Sequence, residues 1–288
     1  MWLPFAIFSG LMFGVRRIYD KELTRIFGNF SLGFVQQVFA LVPVLILFLF
    51  FPIPHDILSL PWRFWWPLLI IWLLLYPFQM YFLFRAIREG ELSHVTPVLS
   101  FLPVCNTITS FLLIGEMVSL SGFLGIASIV VATYLCLVDT REDSSSRYNK
   151  PVLFVLLTTI SMALGGTLDK ISISVSTPVF YSFVNLCGAA IVLLVLSYAY
   201  GQQKDFQHLK NPKMFSLLSF LGVLQALAFA SGMSALSLAP TSYTLAVRSG
   251  SYILVAFWGI AQLKESLSNT KVIALVLFAL GTIALAVA

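Results

Sequence analysis

Apolar residues in this chain fall into ten long runs separated by short polar breaks. A helix that crosses a bilayer needs about 20 mostly apolar residues. Runs of that kind lie near 2–19, 32–51, 65–84, 95–113, 120–138, 151–168, 178–198, 214–233, 240–261 and 270–287, numbered here as spans 1 to 10. Lipid cannot satisfy bare backbone groups, and the alternation of barrel strands is absent, so each run is expected to be helical. The polar stretch Asp139 to Lys150 leaves five spans on either side of it.

The two sides repeat one another. A shift of 149 positions lays Ala86 on Ala235, Ser93 on Ser242, Glu116 on Glu265 and Ser119 on Ser268 without a gap. The same shift lays Asp20 and Lys21 on Asp169 and Lys170, and Phe34 on Phe183. One unit is therefore written twice, over residues 1–138 and 151–288, with 139–150 as a polar linker. Five is an odd number, so the second copy enters the membrane from the opposite side. The expected fold is an all-α membrane protein, ten transmembrane helices arranged as two inverted five-helix repeats.

Charge follows the same inversion. All Lys and Arg residues except Arg63, Lys170 and Arg248 fall at span ends and loops on one side, and loop 1–2 is richly basic where its copy is not. By the positive-inside rule that side is cytoplasmic and both termini face away from it.

Composition narrows the class. Hydrophobic residues make up 59% of the chain and charged residues 10%, against about 25% charged in soluble domains. The net charge of +5 is spread between apolar segments, which suits membrane topology and gives no tract for nucleic acid. Cys105, Cys136 and Cys187 sit in apolar runs and suggest neither disulfides nor a metal site. His55, His94 and His208 are far apart, and no phosphate-binding glycine loop opens a helix. An enzyme, a metal and a cofactor are not expected. Met1 to Val15 lacks a basic leading region, so it reads as a retained first span.

The residues "FRAIREGELSHVTPVLSFLPV" and "LLIGEMVSLSGFLGI", with "SALSLAPTSYTLAV" and "AQLKESLS" in the second copy, resemble the drug/metabolite transporter superfamily, in particular its ten-helix EamA-type members. The resemblance covers essentially the whole chain and implies a permease built from paired five-helix repeats. It also implies cytoplasmic termini and a basic loop 2–3, whereas here that loop carries only Arg63. The charges are followed on this point. A prokaryotic inner membrane is the setting the resemblance implies.

In an inverted-repeat carrier the substrate is expected near the midplane between the halves. Span 4 offers Ser100, Thr107 and Ser110 on one face, and Pro97 and Pro103 would each free a carbonyl one turn earlier. Small polar residues also let helices pack closely, so that stripe has two readings. Span 9 carries Thr244, Arg248 and Ser251. Arg248 lies about 12 Å along its span at 1.5 Å per residue. A cation at that depth is costly and suggests a site for a carboxylate or phosphate, or a structural bond to helix carbonyls. Span 3 presents Trp72, Tyr76 and Gln79, and Gln225 is the copy of Tyr76 in span 8.

Span 1 ends in Arg16 and Arg17 where its copy has Gly165 and Gly166, which suggests two entrances of unlike charge and flexibility. Asp20 with Lys21, and Asp169 with Lys170, read as helix-end pairs. Glu116 and Glu265, just before spans 5 and 10, read as structural carboxylates at helix N-termini. No carboxylate falls inside an expected span, which favours facilitated diffusion or exchange over proton coupling.

The chain thus reads as a permease or exporter of small polar metabolites, such as amino acids or related organic anions, working by alternating access. The expected partners are that small molecule and membrane lipid, not nucleic acid. Two halves in one chain make a monomer sufficient and leave a dimer open. The rival readings are a flippase for an anionic lipid head group or lipid-linked sugar, and a structural membrane protein without transport.

Overall fold

The computed structural model describes residues 1–51, 60–89, 98–99, 101–138, 149–250 and 269–288, and every regular element among them is helical. The first repeat holds α1 (Trp2–Ile26), α2 (Asn29–Leu47), α3 (Trp62–Ile70), a π-helical turn (Ile71–Leu75), α4 (Tyr76–Glu89), α5 (Leu102–Ile114) and α6 (Leu120–Val138). The second holds α7 (Asn149–Ile173), α8 (Pro178–Ala199), a 3₁₀ segment (Gln202–Lys210), α9 (Pro212–Leu238), α10 (241–250 as described) and α11 (Asn269–Val287). Span 3 corresponds to α3, the π turn and α4 together.

The packing is reciprocal. α6 packs on α11 and α2 packs on α8, so spans 5 and 2 each meet their own copies. α1 packs on α9, and correspondingly α7 packs on α4 and α3. Small residues let the backbones approach: a Cβ on Gly125 would stand 3.0 Å from the carbonyl of Gly281, and one on Gly281 would stand 2.8 Å from that of Gly125. Leu73, Leu112, Ile191 and Ile283 are more than half exposed, an apolar outer surface suited to lipid. Among the described residues five helical segments, with span 3 counted as one, are long and apolar enough to cross a membrane, and α5, most of α6 and most of α11 are shorter apolar helices.

Three sequence expectations change. α1 runs about two turns and α7 about one and a half turns past the apolar runs, to Ile26 and Ile173. These last turns bury Leu23, Thr24, Ile171 and Ser172, so tertiary packing extends them. Asp20 and Asp169 therefore lie inside helices, and the argument from absent carboxylates loses its premise. Pro103 occupies the first turn of α5 and breaks nothing. The interruption falls in span 3 instead. Pro77 has no N–H to give the carbonyl of Leu73, and the wide π turn ends just before Tyr76.

Each end of the bundle is tied across the repeats. At one end the 3₁₀ segment caps α2: Asp205 Oδ2 accepts from the Gly28 N–H at 2.7 Å, and Gln202 Oε1 accepts from the Phe30 and Ser31 N–H groups at 2.9 and 3.0 Å. At the other end Glu116 Oε2 accepts from the Thr241 N–H at 2.9 Å. The Glu116 carboxylate therefore caps α10 of the other repeat rather than the α6 it precedes. Lys170 Nζ lies 3.9 Å from Glu116 and donates to the carbonyls of Leu236 and Ala239 at 2.5 and 2.6 Å.

Candidate binding cavity

Between the repeats lies a cavity of about 170 Å³, walled by α1, α2, the π turn, α4, α7, α9 and α10. About 10–15 Å³ suffices for one water, so the space admits a small metabolite. Among the described residues four charged ones reach its wall: Arg16, Asp20, Asp169 and Arg248. Two cations and two anions leave the lining formally neutral.

The carboxylates sit in two networks. In the first, Arg16 donates from Nη1 to Gln225 Oε1 at 2.7 Å and from Nη2 to Gln36 Oε1 at 2.5 Å. Gln36 Nε2 donates to Asp20 Oδ1 at 3.1 Å, and Arg16 Nη2 is 3.6 Å from the same oxygen. Helix periodicity places Arg16 and Asp20 one turn apart on one face, so α1 supplies both charges. In the second network the Tyr181 hydroxyl donates to Asp169 Oδ1, and Asn185 Nδ2 donates to the Tyr181 oxygen at 3.2 Å. Asp169 and Tyr76 both lie within the field of Arg248. The Arg248 guanidinium rests over the Phe13 ring, 4.5 Å from its centre, a cation–π contact.

Several expected site residues meet on this wall: Tyr76, Gln79, Gln225, Arg248, Arg16, Gly165 and Gly166. Gln79 also donates to Ser161 Oγ at 3.2 Å. Four others stand off it. Trp72 donates from Nε1 to Asn185 Oδ1 at 2.9 Å, its ring against Gly188, so it joins α8 to the bundle. Thr107 bonds back to the Pro103 carbonyl at 2.9 Å, Ser110 to that of Thr107 at 3.3 Å, and Thr244 to that of Pro240 at 3.1 Å. Their hydroxyls are used within their own helices, and the α5 face that carries Asn106 packs on α7 through the Ala163 carbonyl. Ser100, Ser251, Pro97 and Glu265 lie outside the described residues, as do the side chains of Arg17 and Lys21.

Gln36, Gln37 and Asn185 were not among the expected site residues. The signal was present: Gln36 and Asn185 are copies under the 149-residue shift, and both interrupt strongly apolar runs. Asp20 and Asp169, expected to be helix-end residues only, are part of the cavity wall.

Comparison with known proteins follows the same division. The family model described as "EamA-like transporter family" matches residues 1–138 and again 149–287. A solved structure titled "Crystal structure of protein" is 14% identical, with a TM-score of 0.74 over 99% of this chain and 97% of that one. That likeness is one of fold. Among curated proteins nothing matches this chain.

Proposed function

The chain belongs to the EamA-like transporter family, and from that premise we propose that it moves small polar metabolites, such as amino acids or related organic anions, across the membrane. It is a multi-pass membrane transporter of the drug/metabolite class. The observation that carries the substrate reading is Arg248 on the wall of a cavity that both repeats build. A guanidinium inside a membrane bundle is costly unless it serves a site, and its planar fork matches a carboxylate. Tyr76 and Gln79 are proposed to hold the remainder of the substrate, and the π turn before Tyr76 sets the angle at which they enter.

The movement proposed is a rocking of one repeat against the other around this cavity. The ties at the two ends, Asp205 and Gln202 on α2, and Glu116 with Lys170 at α10, are the bonds such a motion would exchange. Arg16 stands 3.6 Å from Asp20, and Asp169 lies within the field of Arg248, so the lining carries a cation for each carboxylate. Facilitated diffusion or exchange is proposed on that ground. Substrate counterflow should then be unchanged when an imposed pH gradient is collapsed; counterflow that follows the gradient would contradict it.

A thermal-shift screen of the purified protein tests the substrate class, since a ligand bound only by the folded state raises apparent stability. Amino acids or small carboxylates should raise the unfolding temperature of the wild type and leave Arg248→Ala unmoved. Stabilisation by lipid phosphates or sugar nucleotides alone would overturn this reading in favour of a flippase.

A further inference from the structure

Two residues of the cavity wall each carry a buried polar atom without a hydrogen-bond partner in the protein: the side-chain oxygen of Gln37 and the Nε–H of Arg16. Gln37 is 4% exposed, and its side-chain oxygen is buried without a hydrogen-bond partner. A buried amide without a partner costs about 1–3 kcal/mol. An exception of that kind calls for an explanation, and a ligand that completes the bonds supplies one. The neighbouring Gln36 is fully used, since it holds Arg16 and Asp20. The copy of Gln37 in the second repeat is Leu186, wholly buried in an apolar cluster. The fold therefore accommodates a hydrocarbon side chain at this position, and the polar one has another reason.

Arg16 lies close to the proposed anchor. Phe13, the ring beneath Arg248, precedes Arg16 by three residues on α1, about 4.5 Å of helix rise. Gln37 lines the same cavity as both arginines. We infer that Gln37 and the Nε–H of Arg16 form a second subsite, which selects substrates bearing an uncharged carboxamide at the end away from their carboxylate. A carboxamide fits because it offers a carbonyl to the arginine N–H and an NH₂ to the glutamine oxygen at once. The inference rests on the transporter reading with Arg248 as anchor.

Isothermal titration of the full-length protein in lipid nanodiscs tests it with two probes of one shape, L-glutamine and L-homoleucine, in which an isopropyl group replaces the amide. Wild type should bind glutamine at least about tenfold more tightly, and Gln37→Leu should bring the two within about twofold, because a site built for a polar group penalises the analogue that lacks it. Gln37→Leu should unfold at no lower temperature than wild type, while Gln36→Leu unfolds lower. Equal binding of both probes that Arg248→Ala abolishes overturns the subsite and leaves the anchor standing. A Gln37→Leu protein that unfolds early and loses both probes alike marks a structural residue and also overturns it. If neither probe binds, and no other amino acid stabilises the protein, the transporter-site reading falls and the subsite with it.

Discussion

Asp20 and Asp169 hold the same place in two copies of one sequence, yet an arginine from a different helix attends each. Beside Asp20 the cation is Arg16, four residues earlier on α1, bonded to Gln225 and Gln36. Its copy in the second repeat is Gly165, where a Cβ would meet Gln79 only at an ordinary 3.6 Å. The cation near Asp169 is Arg248 from α10, whose own copy is the buried Leu99. Duplication supplied two equivalent carboxylates, and divergence set one arginine into a side-chain network and the other against an aromatic face. The first arrangement holds helices together; the second is the one proposed above to present a cation to a ligand.

Substitutions can break that contrast. The largest effect is expected from Arg16→Ala, which leaves Asp20 without its cation and Gln225 and Gln36 without their donor. Removing one partner of a buried pair costs about 3–5 kcal/mol, so its thermal unfolding in detergent should fall well below that of wild type. Asp169→Asn sharpens the contrast on the other side. It removes the negative charge that competes with a ligand for Arg248, and should tighten binding of a small carboxylate about fivefold, on the order of 1 kcal/mol. Asp20→Asn should leave that affinity within experimental error, because the Nη groups of Arg16 that face Asp20 are already bonded to Gln225 and Gln36. Calorimetric titration of both variants separates the two cases.

Smaller effects follow from the hydrogen bonds behind Asp169. Tyr181→Phe removes the donor to a buried carboxylate and should cost about 1.5–3 kcal/mol, read as a lowered unfolding temperature. Trp72→Phe removes the indole bond to Asn185 and should cost about 1 kcal/mol, with transport unchanged. Loss of transport in a stable Trp72→Phe protein would place that ring at the substrate after all.

The repeat and its inversion were legible because span length, hydropathy and the 149-residue shift are properties of the chain itself. Helix ends were less so. Leu23 and Thr24 continue α1 through contacts with other helices, which no local apolar run announces. The stripe on α5 shows the limit of spacing: Thr107 and Ser110 do share a face, but a hydroxyl that bonds back to its own helix and one that lines a cavity have the same period. Glu116 read as a cap from its position, while the helix it caps depends on how the repeats pack. Arg248 stood out because a cation deep in an apolar span has few places to go. Gln37 did not, since its lack of a partner is a property of the folded wall.

The central claim is that Arg248 is the ligand anchor while the two Nη groups of Arg16 hold helices together. Counterflow of a radiolabelled amino acid identified by the stability screen, in proteoliposomes of wild type, Arg248→Ala and Arg248→Lys, tests it most directly. The account predicts flux in wild type, none in Arg248→Ala at equal reconstitution and unfolding temperature, and weakened flux in Arg248→Lys, which keeps the charge but loses the planar fork. Wild-type flux in Arg248→Ala would contradict it.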